Sequence, residues 1–338
     1  MHTPTDNDRQ QFQNVWVIGE EREGELKDVT FELLGAARRL ADARQSQVWC
    51  VLLGDGVTTM AAACFHRQAD VVLVVDDPAL GRFVDEIHAA VLERLIAKHK
   101  PEIVLCGATA RGRALIPRVA VQSYAGLTAD CTGLDIDPET GYLLQTRPAF
   151  GGNIMATIKC MDHRPQMATV RPRVMDAPEP DPTRTGKLIA EPFTERDTAW
   201  RSRVLEVVIN KEDAVRLADA TFIVSGGRGI DGPDGFKLLH DFAHLVDGAV
   251  GASRAAVDAG WIDYAHQVGQ TGITVQPEVY MACGVSGQIQ HLVGMQSAGT
   301  IIAVNKDPEA PIMKLADYAI VGDVFEILPA MMTEMRRV

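Results

Sequence analysis

Thr221-Phe222-Ile223-Val224-Ser225 runs directly into Gly226-Gly227-Arg228-Gly229. A short apolar, β-branched run that breaks into glycine reads as a buried strand ending in a tight turn. The same grammar recurs at Gly251-Ala252-Ser253-Arg254, at Val268-Gly269-Gln270-Thr271-Gly272 and at Ser286-Gly287-Gln288-Ile289-Gln290-His291. Most of these clusters follow a run that suits a buried strand. In an open α/β sheet the ligand crevice lies outside the carboxyl ends of the strands. Several such clusters within 221–291 predict one shared cofactor pocket.

Outward from this stretch, residues 204–209, 249–251, 279–284, 301–305 and 319–322 are further strand candidates separated by helices. They predict a parallel-sheet domain over 204–330, followed by a tail at 331–338. Upstream, 15–19, 48–54, 71–75 and 103–107 are short aliphatic runs of the kind found in parallel strands covered on both faces. Helix-length segments lie between them. Val29, Leu33, Leu34, Ala37 and Leu40 recur at three- and four-residue spacing, as do Val84, Ile87, His88, Val91, Leu92 and Leu95. Alternation of strand and helix implies βαβ units and a second parallel sheet, in a domain over 14–203 behind a flexible N-terminus at 1–13.

From residue 127 the pattern changes. Asp137-Pro138-Glu139-Thr140-Gly141 is a turn, because proline presets φ and glycine accepts a positive one. It separates strand candidates 132–136 and 142–146, and 153–160 and 166–174 read as two more around a turn at 162–165. The first domain is therefore expected to end in an antiparallel extension. Pro178, Pro180 and Pro182 mark a semi-extended linker, so a boundary falls between 176 and 208. The fold class is α/β, with two parallel-sheet domains of which the second is doubly wound.

Composition excludes several functions. The 338 residues suit roughly two domains of ~150 residues. A net charge of −12 lacks the clustered basic residues of a nucleic-acid binder. No apolar run approaches the ~20 residues that span a bilayer, and 1–13 lacks a signal peptide's apolar region. A cytoplasmic protein without membrane insertion is expected. Cys50, Cys64, Cys106, Cys131, Cys160 and Cys283 are far apart and include no CxxC pair. They read as reduced thiols, and no metal site or iron–sulfur cluster is expected.

The chemistry concentrates after residue 221. Backbone amides can approach a pyrophosphate where glycine removes the side chain. Gly226-Gly227-Arg228-Gly229 meets that need without being a GxGxxG fingerprint, and such a turn is often only structural. Ser286-Gly287, at a predicted helix start, is a second anion-site candidate. Surface arginines are usually just solvated, yet Arg228 and Arg254 sit inside the glycine clusters. Gln270 and Thr271 add uncharged donors, and His291 adds a ring that could equally be bonded locally on a helix face. A flavin needs this kind of lining, with donors to its carbonyls and reactive nitrogen.

The series VSGGRGI, FKLLHDFAHLVDGAVGASRAAVDAGW, QVGQTG, SGQIQHLVGM, IIAVNKDPEAPI and ADYAIVGD resembles the FAD-binding domain of the electron-transferring flavoprotein α subunit. The resemblance covers nearly all of 204–330, and 14–200 resemble that family's N-terminal domain. It implies one FAD in this chain and a partner β subunit. Arg228 and Ser253 would contact the phosphate and ribityl side, and Arg254 would lie against the isoalloxazine. Gln270 and Thr271 would donate near its reactive nitrogen, and Val268 and Gly269 belong to the same cofactor-binding set. Ser286, Gly287, Gln288, Ile289 and Gln290 would hold the pyrophosphate and ribityl chain, with His291 at the pyrimidine carbonyl. Asn305 and Asp323 would address the adenosine half. Many relatives have lysine after QTG, where this chain has Ile273.

The first domain bears on subtype. GLTADC at 126–131, QTRPAFGGNIMA at 145–156 and RPQMATVRP at 164–172 resemble the electron-bifurcating branch. In those relatives the β subunit holds a second FAD that accepts hydride from NADH, and the arginine matching Arg147 approaches it. A guanidinium beside a flavin favours its reduced, anionic form. A strand-end arginine in a salt bridge is the alternative reading. Arg173 stands where relatives often have glycine. The expected catalytic set is Arg147, Arg254, Thr271 and His291. One electron would pass to ferredoxin or flavodoxin, and the other through this chain's FAD to an acyl-CoA dehydrogenase or related dehydrogenase. The alternatives are a one-flavin carrier to a quinone reductase, with AMP in the β subunit, a Fix-type quinone-linked subunit, or a non-redox nucleotide-binding scaffold.

Overall fold

The computed structural model describes residues 11–22, 24–149, 154–194, 204–206, 217 and 220–337. The chain forms two compact units that divide between Val207 and Val208. Both are α/β units with parallel sheets.

The first unit begins with β1 (Gln13–Ile18) and a small antiparallel pair, β2 (Glu21–Arg22) and β3 (Glu25–Leu26). Helix α1 (Asp28–Ala43), β4 (Val48–Gly54), α2 (Ala61–His66), β5 (Val71–Asp76), α3 (Asp85–His99), β6 (Pro101–Gly107) and α4 (Ala110–Gln122) follow in strict alternation. The main sheet has seven strands in the order β12-β5-β4-β1-β6-β11-β7, every neighbouring pair parallel. Here β7 is Gly126–Cys131, β11 is Gln166–Val170 and β12 is Lys187–Ala190. Side chains alternate across the pleat. Val15, Val17, Cys50, Leu52, Val72 and Val74 pack under α1 and α2, while Trp16, Ile18, Val51, Leu73, Val104 and Met167 pack under α3 and α4.

The antiparallel extension is smaller than the sequence suggested. It consists of β8 (Gly133–Ile136), β9 (Leu143–Ala149) and β10 (Ile154–Ile158), in the order β10-β9-β8. The expected fourth strand at 166–174 is instead β11, which joins the main parallel sheet between β6 and β7. The turn between β8 and β9 forms as predicted: Gly141 has φ +71°, and Asp137 accepts from Glu139 N and Thr140 Oγ1. Arg173 has a φ of +63°, in the left-handed region that favours glycine. Its amide donates to the buried Glu32 carboxylate at 2.7 Å.

The second unit carries β13 (Phe222–Gly226), α5 (Pro233–Leu245), β14 (Ala249–Ala252), α6 (Arg254–Asp258), β15 (Val279–Cys283), α7 (Ile289–Leu292), β16 (Thr300–Asn305), α8 (Pro311–Leu315), β17 (Tyr318–Val321) and α9 (Val324–Met335). Its five strands are parallel in the order β14-β13-β15-β16-β17. Val224, Met281, Cys283 and Val304 face α5 and α9, whereas Ile223, Tyr280, Ala282, Ile301 and Ala303 face α8. With helices on both faces, this is a doubly wound sheet whose strand order reverses between β13 and β15. Residues 204–206 are not in a strand, and the rest of the strand expected at 204–209 lies outside the described residues. The expected tail at 331–338 is helical as far as Met335. Most of the N-terminus expected to be flexible, 1–10, is likewise outside the described residues.

Candidate functional site

A cleft of about 570 Å³ opens above the carboxyl ends of β13, β14, β15 and β16. That volume is in the range of small-molecule and cofactor sites, and its place at the strand-order reversal is where doubly wound sheets bind ligands. Gly227 follows β13, Ser253 follows β14, Gly284 follows β15 and Asn305 ends β16, and all four line the cleft.

The glycines at its floor serve the backbone first. A Cβ on Gly227 would lie 2.2 Å from the Gly284 carbonyl oxygen, and one on Gly229 would lie 2.8 Å from Gly284 Cα. Gly227 N donates to Cys283 O at 2.9 Å and Gly229 N to Gly284 O at 3.0 Å. The loops after β13 and β15 can therefore meet only without side chains there, which is a structural demand beyond close approach to a ligand. The helix after Ser286-Gly287 is a single turn, α7, so its dipole adds little to an anion site there.

One wall is the loop at 267–273, stitched to the segment at 288–294. Val268 N donates to Ala252 O, Ile273 N to Gln267 O, and Gln270 N to Gln290 O at 2.7 Å. Gln267, which no sequence signal singled out, is buried, and its Nε2 donates to Thr271 Oγ1 at 3.0 Å. It fixes the hydroxyl of a residue expected near the ligand. Ile273 packs against the apolar layer beneath, so its side chain belongs to the core.

Of the residues expected at the site, Arg228, Ser253, Arg254, Val268, Gly269, Gln270, Thr271, Ser286, Gln288, Gln290, His291 and Asn305 line this one cleft. Gly287 and Ile289 do not line it. Gly287, at φ +82°, is pressed against the start of α8, and Ile289 is exposed. Asp323 caps α9 by accepting from Phe325 N at 3.0 Å and pairs with Lys306 Nζ at 2.8 Å, outside the lining. Arg147 lies on β9 of the first unit. Asp258 and Asp307 line the cleft without having been foreseen; exposed carboxylates after helices and turns carry no local signature.

The electrostatics are those of a polar, nearly neutral site. Arg254 Nε is 3.2 Å from Asp258 Oδ2, both side chains being mostly exposed. Such a pair is worth at most about 1 kcal/mol, so the guanidinium is free to turn to a ligand. His291 is buried, and burial pushes its ring down to about 4, with the backbone of Val268 offsetting a small part. The ring is therefore neutral at physiological pH. Two buried polar atoms in the lining, Ser253 Oγ and His291 Nδ1, lack any hydrogen-bond partner. Orphaned buried donors are costly unless a ligand meets them. A cofactor with carbonyl and phosphate oxygens fits that need.

The electron transfer flavoprotein subunit alpha of Thermoanaerobacterium thermosaccharolyticum is 51% identical over 326 residues, covering 96% of this chain and 98% of that one. Models of the electron transfer flavoprotein domain and of the electron transfer flavoprotein FAD-binding domain match residues 15–195 and 216–296. The chain belongs to the electron transfer flavoprotein α-subunit family. This α subunit is also 42% identical to the acryloyl-CoA reductase electron transfer subunit beta of Anaerotignum propionicum, over 96% of each chain. It is 40% identical to protein FixB of Azorhizobium caulinodans, over 96% of this chain and 89% of that one. The matched FAD-binding domain contains most of the cleft's loops and makes a flavin the cofactor class of the second unit. Among the described residues no helix is long and apolar enough to cross a membrane.

Proposed function

We propose that this α subunit relays electrons through one FAD held in the cleft of its second unit, within a heterodimer that bifurcates electrons. NADH is oxidised at a second FAD in the β subunit. One electron goes to ferredoxin or flavodoxin, and the other passes through the FAD of this chain to a partner dehydrogenase. Bound FAD supplies the reversible electron chemistry; the chain's residues bind it, orient it and set its surroundings. Arg228 and Ser253 hold the phosphate and ribityl side, and Ser286, Gln288 and Gln290 the pyrophosphate and ribityl chain. Arg254 lies against the ring system, with Gln270 and Thr271 near its reactive nitrogen. His291 donates to the pyrimidine carbonyl as a neutral ring. Asn305 serves the adenosine half by bracing the loop beneath it, its Nδ2 donating to Val285 O at 2.9 Å.

The observation that carries the bifurcating reading is Arg147. It stands on an antiparallel sheet whose β10 strand is largely solvent-facing, and among the described residues it forms no salt bridge. Its Nε donates to the carbonyl of Pro148 at 3.4 Å. A guanidinium kept half-buried without a carboxylate is available to a partner's anionic cofactor. The name of one relative, an acryloyl-CoA reductase electron transfer subunit, also supports delivery of electrons to a reductase. In a second reading, the Fix-type alternative raised by the sequence, the high-potential electron goes to quinone.

Counting flavins in the purified heterodimer tests the proposal. Two FAD per heterodimer are expected. One FAD plus AMP would reassign the protein as a one-flavin carrier, and a colourless complex would make it a scaffold. Reduction of ferredoxin by NADH with either a dehydrogenase substrate or quinone present then separates the two bifurcating readings.

A further inference from the structure

Behind His291 lies a polar chain buried in an otherwise apolar layer. Tyr280, on β15, is fully buried, and its hydroxyl is 2.9 Å from His291 Nε2. Their rings meet edge-on at 6.1 Å between centroids. Near the phenol is Ser225 of β13, also fully buried, whose hydroxyl has no partner in normal hydrogen-bond geometry but pulls the Tyr280 phenol down slightly, as a neighbouring donor does. Neither Ser225 nor Tyr280 lines the cleft.

We propose that Tyr280 is a positioning residue that holds His291 as its Nδ1–H tautomer, so that the ring always offers the cleft a neutral hydrogen-bond donor. Two arrangements of protons are available to this chain of three. In the first, Ser225 donates to the Tyr280 oxygen, Tyr280 donates to His291 Nε2, and Nδ1 carries the remaining proton. In the second, Nε2–H donates to Tyr280, Tyr280 donates to Ser225, and the serine proton is left in the apolar layer without an acceptor. The first arrangement leaves Nδ1–H in the lining of the cleft, outside hydrogen-bond geometry with any protein group though drawn on by the Val268 backbone, where a ligand can accept it. The second leaves a buried hydroxyl unmet and turns a lone pair toward a ligand carbonyl, which repels it. Phenol is the stronger donor and neutral imidazole the stronger acceptor, which favours the first arrangement as well. Burial supports both roles: it raises the Tyr280 phenol well above its ordinary value and keeps His291 uncharged. The donor presented to the cleft is therefore insensitive to pH across the physiological range.

The inference that this donor meets FAD rests on the site reading above; the tautomer itself does not. The test uses the full chain in its heterodimer, labelled with 15N at histidine, before and after flavin removal. Long-range 1H–15N spectra report which ring nitrogen is protonated, with His291→Asn identifying the signal. Nδ1–H is expected in both states, and Nε2–H would overturn the proposal. Tyr280→Phe should move the ring toward Nε2–H and weaken FAD retention roughly five- to tenfold, the effect of one misplaced hydrogen bond. Retention of Nδ1–H in that variant would remove Tyr280 from its role. Ser225→Ala should move the population in the same direction by less, and serves if Tyr280→Phe does not fold; an unmoved signal there counts against the chain. Unchanged FAD content in His291→Asn would defeat the FAD reading alone and leave the tautomer standing.

Discussion

A Cβ on residue 227 would lie 2.2 Å from the carbonyl oxygen of Gly284, so the loops after β13 and β15 meet backbone to backbone. The meeting point is the floor of the cleft. Gly227→Ala should cost about 1–3 kcal/mol as the loops separate, and FAD affinity should fall with it. Thermal melting of apo and FAD-loaded protein checks both; a variant with wild-type stability and flavin content would show that the contact is not needed.

The neutral, buried His291 links stability to pH. Its folded value of about 4 is below the unfolded value of ~6.5. The unfolded state therefore binds the extra proton first as pH falls. The stabilisation is complete above about pH 6.5 and is lost progressively between there and about pH 4, by up to about 3 kcal/mol. Burial depresses His88, in the first unit, in the same sense. Urea unfolding of wild type and His291→Asn across pH 4–7 measures the difference, which should vanish at the acid end.

Among the described residues Arg254 bonds only to exposed Asp258, so its substitution should leave the fold intact. Arg254→Ala is expected to lower FAD content or shift the flavin's reduction potential, with stability of the apo protein within about 0.5 kcal/mol of wild type. Unchanged FAD content together with an unchanged redox titration would remove Arg254 from the site.

Arg147 gives a prediction of a different kind. Arg147→Ala should spare FAD binding in the second unit but impair NADH-driven ferredoxin reduction by the heterodimer, roughly 10²-fold for a lost charge beside a reacting cofactor. Full ferredoxin-reducing activity would count against its role at the partner flavin.

Arg173 stands in a left-handed conformation, with its amide bound to Glu32. Arg173→Gly keeps that amide and removes the Cβ strain but loses the guanidinium's attraction for Glu32, so the two effects should offset to within about 1 kcal/mol. Chemical denaturation of the first unit's tryptophan signal reads it, since Trp16 and Trp49 stack in that core.

What could be read before folding followed from local physics. Strands covered on both faces are continuous apolar runs, so β1, β4, β5, β6 and β13 to β17 stood out, and the helices announced themselves by spacing. The turn at Gly141 and the glycine clusters of the cleft were equally legible, because a positive φ or a tight loop restricts residue type at one place in the chain. Tertiary structure decided what depends on distant partners. The strand β11 enters the main sheet because β6 and β7 leave a gap that its register fills; nothing in Gln166–Val170 itself distinguishes that from a hairpin. β7, with its polar Thr128 and Asp130, lacked an apolar signature, and the edge strand β12, only four residues long, offered too short a run to read. Within the stretch at 221–291, the sequence alone marked His291, Gln270 and Thr271 as ligand-facing. That Gln267 orients Thr271 became visible only once the loop at 267–273 closed on itself, and that Tyr280 and Ser225 stand behind His291 only once β13 and β15 lay side by side. Hydrogen bonds between strands far apart in sequence have no pattern along the chain.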